Sequence, residues 1–159
     1  MSSLTCPRCK TNLSTRTAGE LSFGECGTCF GVWVDAPSFE KISADPDKHG
    51  ADLSWPDKGP TNWPVVYIPC AECGTVMNRI NFGRVSGVVV DICQRHGIWF
   101  DRDELRQVMD FVRKGGLREA RAIELAEHRS EMKELRAVGK VGSARGEKFA
   151  AVVNFLIGS

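Results

Sequence analysis

Cys6-Pro7-Arg8-Cys9 and Cys26-Gly27-Thr28-Cys29 open the chain, and Cys70-Ala71-Glu72-Cys73 and Cys93-Gln94-Arg95-His96 repeat the arrangement further on. These four quartets contain all seven cysteines, and a histidine stands where an eighth would complete the pattern. Two donors separated by two residues can be aimed at one point by a tight turn. Two such turns, joined by a hairpin-length stretch, supply four donors at the corners of a tetrahedron, the coordination Zn2+ takes from thiolate and imidazole. The spacing therefore predicts two zinc ions per chain. Cys6, Cys9, Cys26 and Cys29 form a four-cysteine site; Cys70, Cys73, Cys93 and His96 form a three-cysteine, one-histidine site. The rival for His96 is an open three-cysteine site with water as fourth ligand, for which Asp91, Asp101 or Glu72 would be the candidate base. Three thiolates make a weak Lewis acid and no substrate-pocket motif accompanies them, so the expectation is a protein that is not an enzyme.

The copies share more than donors. Gly31-Val32-Trp33-Val34-Asp35 follows the first site's second knuckle, and Gly97-Ile98-Trp99-Phe100-Asp101 follows the second's. A Gly-apolar-Trp-apolar-Asp string at the same place in both marks an internal duplication. The register differs by one residue: Trp33 lies seven places after Cys26, Trp99 six after Cys93. The second of these knuckles is therefore shorter, and the reach of an imidazole is expected to compensate. Trp33 and Trp99 are expected in the core, Asp35 and Asp101 as helix caps.

These residues resemble the TFIIB-type zinc-ribbon family found in many small bacterial proteins. Its pattern is a Cys-Pro-x-Cys knuckle, a hairpin, and a second knuckle running into Gly-x-Trp-Leu-Asp-x-x-Glu-Leu. Cys6 to Cys9 and Gly31 to Asp35 carry the likeness in the first copy. The second carries it over Met77-Asn78-Arg79, Asn81-Phe82-Gly83, Ser86-Gly87-Val88, Cys93, His96 to Asp101 and Glu104-Leu105. The departures are Ser38-Phe39 in place of Glu-Leu, and Ala71 in place of proline; neither is a ligand. The resemblance spans roughly residues 1–40 and 66–113. It implies zinc binding and a link to transcription or nucleic acid.

A ribbon of about forty residues is too small to bury a self-sufficient core. Structural zinc supplies the deficit, about 10–16 kcal/mol in small peptides. The predicted fold is a small zinc-stabilised α+β protein: two tandem ribbons, each a β-hairpin plus short helix, with a helical C-terminal extension. The expected segments are residues 1–42 (first ribbon), 43–65 (a Pro/Trp linker), 66–114 (second ribbon with an amphipathic helix) and 115–159. In the first ribbon a hairpin turns near Ala18-Gly19, and Ala36, Phe39 and Ile42 recur at helical spacing. Residues 43–64 are broken by Pro46, Trp55-Pro56, Gly59-Pro60 and Trp63-Pro64, with the tryptophans expected to pin the segment to the ribbons. In the second ribbon, β-rich stretches at 76–82 and 88–92 flank a Gly83–Gly87 turn. Asp101 to Glu104 fits a capping box. Leu105, Val108, Met109 and Val112 then form an apolar helical stripe that Gly115-Gly116 ends.

A charged, weakly amphipathic helix is expected over 117–138, either solvated or an arm that pairs with another chain. Gly139, Gly142 and Gly146 form a joint before an apolar segment, Phe149 to Ile157. That segment is too short to span a bilayer; it suits folding back, self-association into a homo-oligomer, or docking. Net charge is +1 over 159 residues, but residues 1–112 are net acidic and 113–159 net basic. No apolar run precedes Cys6, so paired cysteines predict zinc in a reducing cytoplasm. Three functions fit. The first is a non-catalytic adaptor docking on a protein partner, within transcription. The second is a nucleic-acid-binding regulator acting through residues 113–148, with Arg113, Lys114, Arg118 and Arg121 as contacts. The third is a redox or zinc sensor.

Overall fold

A computed structural model of the protein describes residues 4–50 and 63–137. In chain order the elements are β1 (Ser14–Ala18), β2 (Leu21–Glu25), β3 (Val32–Asp35), α1 (Ala36–Ala44), α2 (Pro46–Gly50), β4 (Asn78–Asn81), β5 (Val89–Cys93), β6 (Gly97–Phe100), α3 (Glu104–Arg113) and α4 (Gly116–Ala137). Each copy contributes a three-stranded antiparallel unit and a helix. The two units do not stand apart: they join edge to edge in one six-stranded sheet of order β1-β2-β3-β6-β5-β4.

The junction is the shared string itself. β3 and β6 run antiparallel, with Val32 opposite Phe100, Trp33 opposite Trp99, Val34 opposite Ile98 and Asp35 opposite Gly97. The same segment of each copy thus pairs with its counterpart across a local pseudo-two-fold axis, as subunits do in a symmetric dimer. Strand alternation then assigns the string its chemistry. Val32, Val34, Ile98 and Phe100 face the helices, while Trp33 and Trp99 face the cysteines. The glycines allow the approach. A Cβ on Gly97 would sit 2.2 Å from the Val34 carbonyl oxygen, and one on Gly31 2.2 Å from the Trp99 ring.

The core on the helix face belongs to both copies. Phe39 of α1 packs edge-on against Phe82 (centroids 5.7 Å apart) and beside Phe100 (5.8 Å). Leu105, Val108, Met109 and Val112 of α3 are all buried in the same cluster. Phe39, one of the departures from the family pattern, is thus a ring from the first copy seated among rings of the second.

The β1–β2 hairpin turns at Gly19, in the left-handed region. Asp35 caps α1, accepting from the Ser38 N–H. Asp101 does not cap α3 as expected. That helix starts only at Glu104, behind Asp103 in a left-handed conformation with no side-chain cap. Half of the capping box survives: the Glu104 carboxylate accepts from the Asp101 N–H at 2.7 Å. The other half is lost because the Asp101 carboxylate is engaged elsewhere. Residues 43–64 are not wholly irregular either, since α1 runs to Ala44 and α2 occupies 46–50. Gly115, at φ 82, breaks α3 from α4, and a Cβ on Gly116 would strike the Phe111 ring at 2.3 Å. Trp55, the 139–146 glycines and the 149–157 apolar segment lie outside the described residues.

Candidate metal centres

Each predicted donor set converges. The ligand atoms of Cys6, Cys9, Cys26 and Cys29 lie within 4.8 Å of one another, as do those of Cys70, Cys73, Cys93 and His96. A tetrahedron with zinc–sulfur bonds of about 2.3 Å has edges of about 3.8 Å. Cys6 and Cys29 Sγ are 3.7 Å apart, Cys73 and Cys93 Sγ 3.9 Å. His96 presents Nδ1, 3.4 Å from Cys93 Sγ and 3.7 Å from Cys70 Sγ. The spacing fits the slightly shorter edge that a zinc–nitrogen bond gives. Both sets therefore match Zn2+ with four protein donors.

Three of the four knuckles have one geometry. The Cys6 carbonyl accepts from the Lys10 N–H, and the Cys6 N–H donates to the Thr11 carbonyl. Cys26 does the same with Phe30 and Gly31, and Cys70 with Gly74 and Thr75. In each, the residue after the second ligand is left-handed: Lys10 at φ 61, Phe30 at φ 59, Gly74 at φ 70. For residues with a Cβ that conformation costs about 1–2 kcal/mol, a strain the turn and its metal must offset. The fourth knuckle lacks this residue. His96 donates to the Cys93 carbonyl at 3.2 Å, and Gly97 pairs directly with Cys93 in the sheet. The missing residue explains the one-place shift of Trp99. With the turn shortened, the near nitrogen of an imidazole fills the corner that a thiolate fills in the other copy.

The protein polarises the thiols. The Cys29 thiol hydrogen-bonded to Cys6 holds Cys6 down at about 5, and that same contact pushes Cys29 far up. Burial pushes Cys9 up to about 11 and Cys70 up to about 12. Exposed Cys73 is held at about 6 by hydrogen bonds from Thr75. Zinc takes cysteine as thiolate, so metal entry displaces thiol protons. Backbone N–H groups support the sulfurs, Cys9 to Cys6 Sγ at 3.3 Å and Glu72 to Cys70 Sγ at 3.4 Å.

Around the centres runs a polar clamp that sequence reasoning missed. Arg8, inside the first copy's first knuckle, makes a bidentate ion pair with Asp101 of the second copy. Its side chain is only 3% exposed, and it lies 5.3 Å from the centroid of the Trp63 ring. Burial alone would lower the Arg8 pKa, but Asp101, Asp91 and Glu104 outweigh it and raise it. Asp101 also accepts from Trp99 Nε1 at 3.0 Å. Across the pseudo-axis, Trp33 Nε1 donates to Glu72 at 3.1 Å. Arg8 and Glu72 hold the same place in their knuckles, so each copy's first knuckle reaches the other copy's aromatic strand. The sequence trace of the clamp is that equivalence, two matching knuckle positions of opposite charge. Of the residues named as candidate bases, Asp101 and Glu72 are committed to this clamp. Asp91 is buried, ion-paired to Arg79 at 3.5 Å and pushed up to about 6, first by burial.

No helix among the described residues is long and apolar enough to cross a membrane. A search of the curated proteins and of the solved structures found no match for the chain. A family model described as transcription factor zinc-finger, the TFIIB-type zinc ribbon, matches residues 5–45. That span holds the first donor set, the β1–β3 unit and α1, and the second copy repeats the two-residue spacing within each donor pair and the strand string around the pseudo-axis. Residues 5–45 thus match the TFIIB-type zinc ribbon, the family their motifs resemble.

Proposed function

We propose that the chain is a non-catalytic zinc-stabilised adaptor that docks on a protein partner, within transcription and in a reducing cytoplasm. The observation that carries this is the closure of both centres: every corner of each tetrahedron is taken by a protein donor. A zinc ion so enclosed organises the fold and has no seat for water or substrate. Two hollows among the described residues, of about 260 and 290 Å³, are open and lie below the ~300–1,000 Å³ of typical ligand pockets. All seven thiols belong to the two donor sets, which suits a compartment that keeps thiols reduced. The link to transcription rests on the family match alone.

Direct nucleic-acid binding through the C-terminal helix finds less support. Over α4 the basic residues Arg118, Arg121, Arg129, Lys133 and Arg136 are balanced by five glutamates. Arg113 is spent on Asp110 and Asp47. Phosphate binding needs unneutralised cations.

The test is to recover the full tagged chain from its own cells with and without nuclease. A protein that stays bound after nuclease, and at raised salt, is the expected result. Partners that all vanish with nuclease, or a complex that weakens steeply with salt, would overturn the adaptor in favour of the regulator.

A further inference from the structure

α4 leaves the body of the protein. Gly116, Leu117 and Ala120 pack against it, and Arg84 pairs with Glu127 at 2.7 Å. From Leu125 onward every residue of the helix is exposed. Among them Leu125 is 51% exposed, Met132 40% and Leu135 48%. With His128 they fall at intervals of three, four and three, the a and d positions of two heptads. An isolated helix of this length gains little from a bare apolar stripe in water, so a partner is implied.

The flanking charges say which partner. With Leu125 and Met132 at a, the g positions are Glu124 and Glu131, and the e positions are Arg129 and Arg136. In a parallel two-stranded coiled coil, each g residue meets the e residue five places on in the other helix. Two copies of this helix therefore set Glu124 against Arg129 and Glu131 against Arg136, twice over by symmetry. Antiparallel pairing would instead oppose glutamate to glutamate and arginine to arginine. We propose that α4 is a homodimerisation arm that pairs in parallel with α4 of a second copy through Leu125, His128, Met132 and Leu135. The seam is short and carries a histidine at a d position, which weakens it. Self-association on the order of 10–100 µM is expected, the class of a small, transient interface. Parallel pairing puts both ribbon bodies at one end, so that a dimer presents two identical heads to a repeated or paired target. The pairing does not depend on what those heads bind.

Sedimentation of the zinc-loaded full chain tests it with four proteins. Wild type should form dimers at low salt. E124R/E131R and R129E/R136E each carry one sign along both flanks and should be monomers with unchanged helix content. Mixed in equal amounts, they should recover the dimer. A His128→Leu chain should dimerise at least about tenfold more tightly, since an apolar d layer replaces a polar one. A wild-type monomer at every concentration would overturn the proposal and point to the chain's own apolar segment, residues 149–157, as the cover. Dimers unaffected by either charge reversal would also overturn it, by placing self-association elsewhere.

Discussion

His96 shows how one residue changes a site without changing its geometry. The knuckle it closes is one residue short, and Nδ1 takes the corner. His96→Ala removes a ligand, so the second site should bind zinc more weakly by well over the about 10–100-fold typical for loss of a supporting partner; competition with a chromophoric chelator reads this. Glu104 bears on pH. Burial first, then the Asp101 carboxylate, pushes it up to about 8; Asp91 adds to the push, while Arg79 and the hydrogen bond from the Asp101 N–H oppose it. Because the folded state holds this proton more tightly than the unfolded chain, its contribution is full at acid pH and erodes as pH rises to about 8. Urea midpoints of the zinc-loaded protein should therefore fall between about pH 6 and 8. Glu104→Gln should remove most of that slope, and an unchanged slope would mean that another group sets it.

At the scale of elements, the β3–β6 seam and the Arg8–Asp101 clamp tie the ribbons together. A Cβ on Gly97 meets the backbone of β3 at Val34 and Asp35, whereas one on Gly27 meets nothing within 4 Å. Gly97→Ala should cost at least about 3 kcal/mol and Gly27→Ala less than about 1 kcal/mol, by denaturant unfolding. Breaking a buried ion pair by removing one partner costs about 3–5 kcal/mol. Arg8→Ala and Asp101→Ala should each approach that, and together should cost much less than their sum. Additive losses would mean that the clamp does not couple the ribbons. The elements also show what the sequence conveys. Period-3.6 spacing marked α1 and α3, the Ala18-Gly19 turn marked the first hairpin and β-rich runs marked the second, because these are local patterns. The start of α3 was misplaced because Asp101 is drawn to Arg8, a residue 93 positions away. No local pattern reports such a pull.

For the whole molecule, the eight donors were legible because metal geometry imposes spacing that survives in one dimension. The merger of two ribbons into one sheet was not legible as such. Its trace is the Gly-apolar-Trp-apolar-Asp string, which reads as duplication until Trp33 is seen opposite Trp99. One consequence is cooperative: the core draws on both copies, so loss of either metal should loosen both. Hydrogen exchange on His96→Ala should show faster exchange in β2 and α1 as well as in β5; a change confined to residues 66–113 would contradict a shared core.

The fold and the proposed function both rest on the closure of the two centres by protein donors. Zinc X-ray absorption on the purified full chain, with metal content counted, tests it most directly. The expected result is two zinc ions per chain in an average shell of seven sulfurs to one nitrogen, at about 2.3 and 2.0–2.1 Å, with no oxygen. A single zinc ion, or an oxygen ligand in the first shell, would show an open or unused site and overturn the closed, non-catalytic reading.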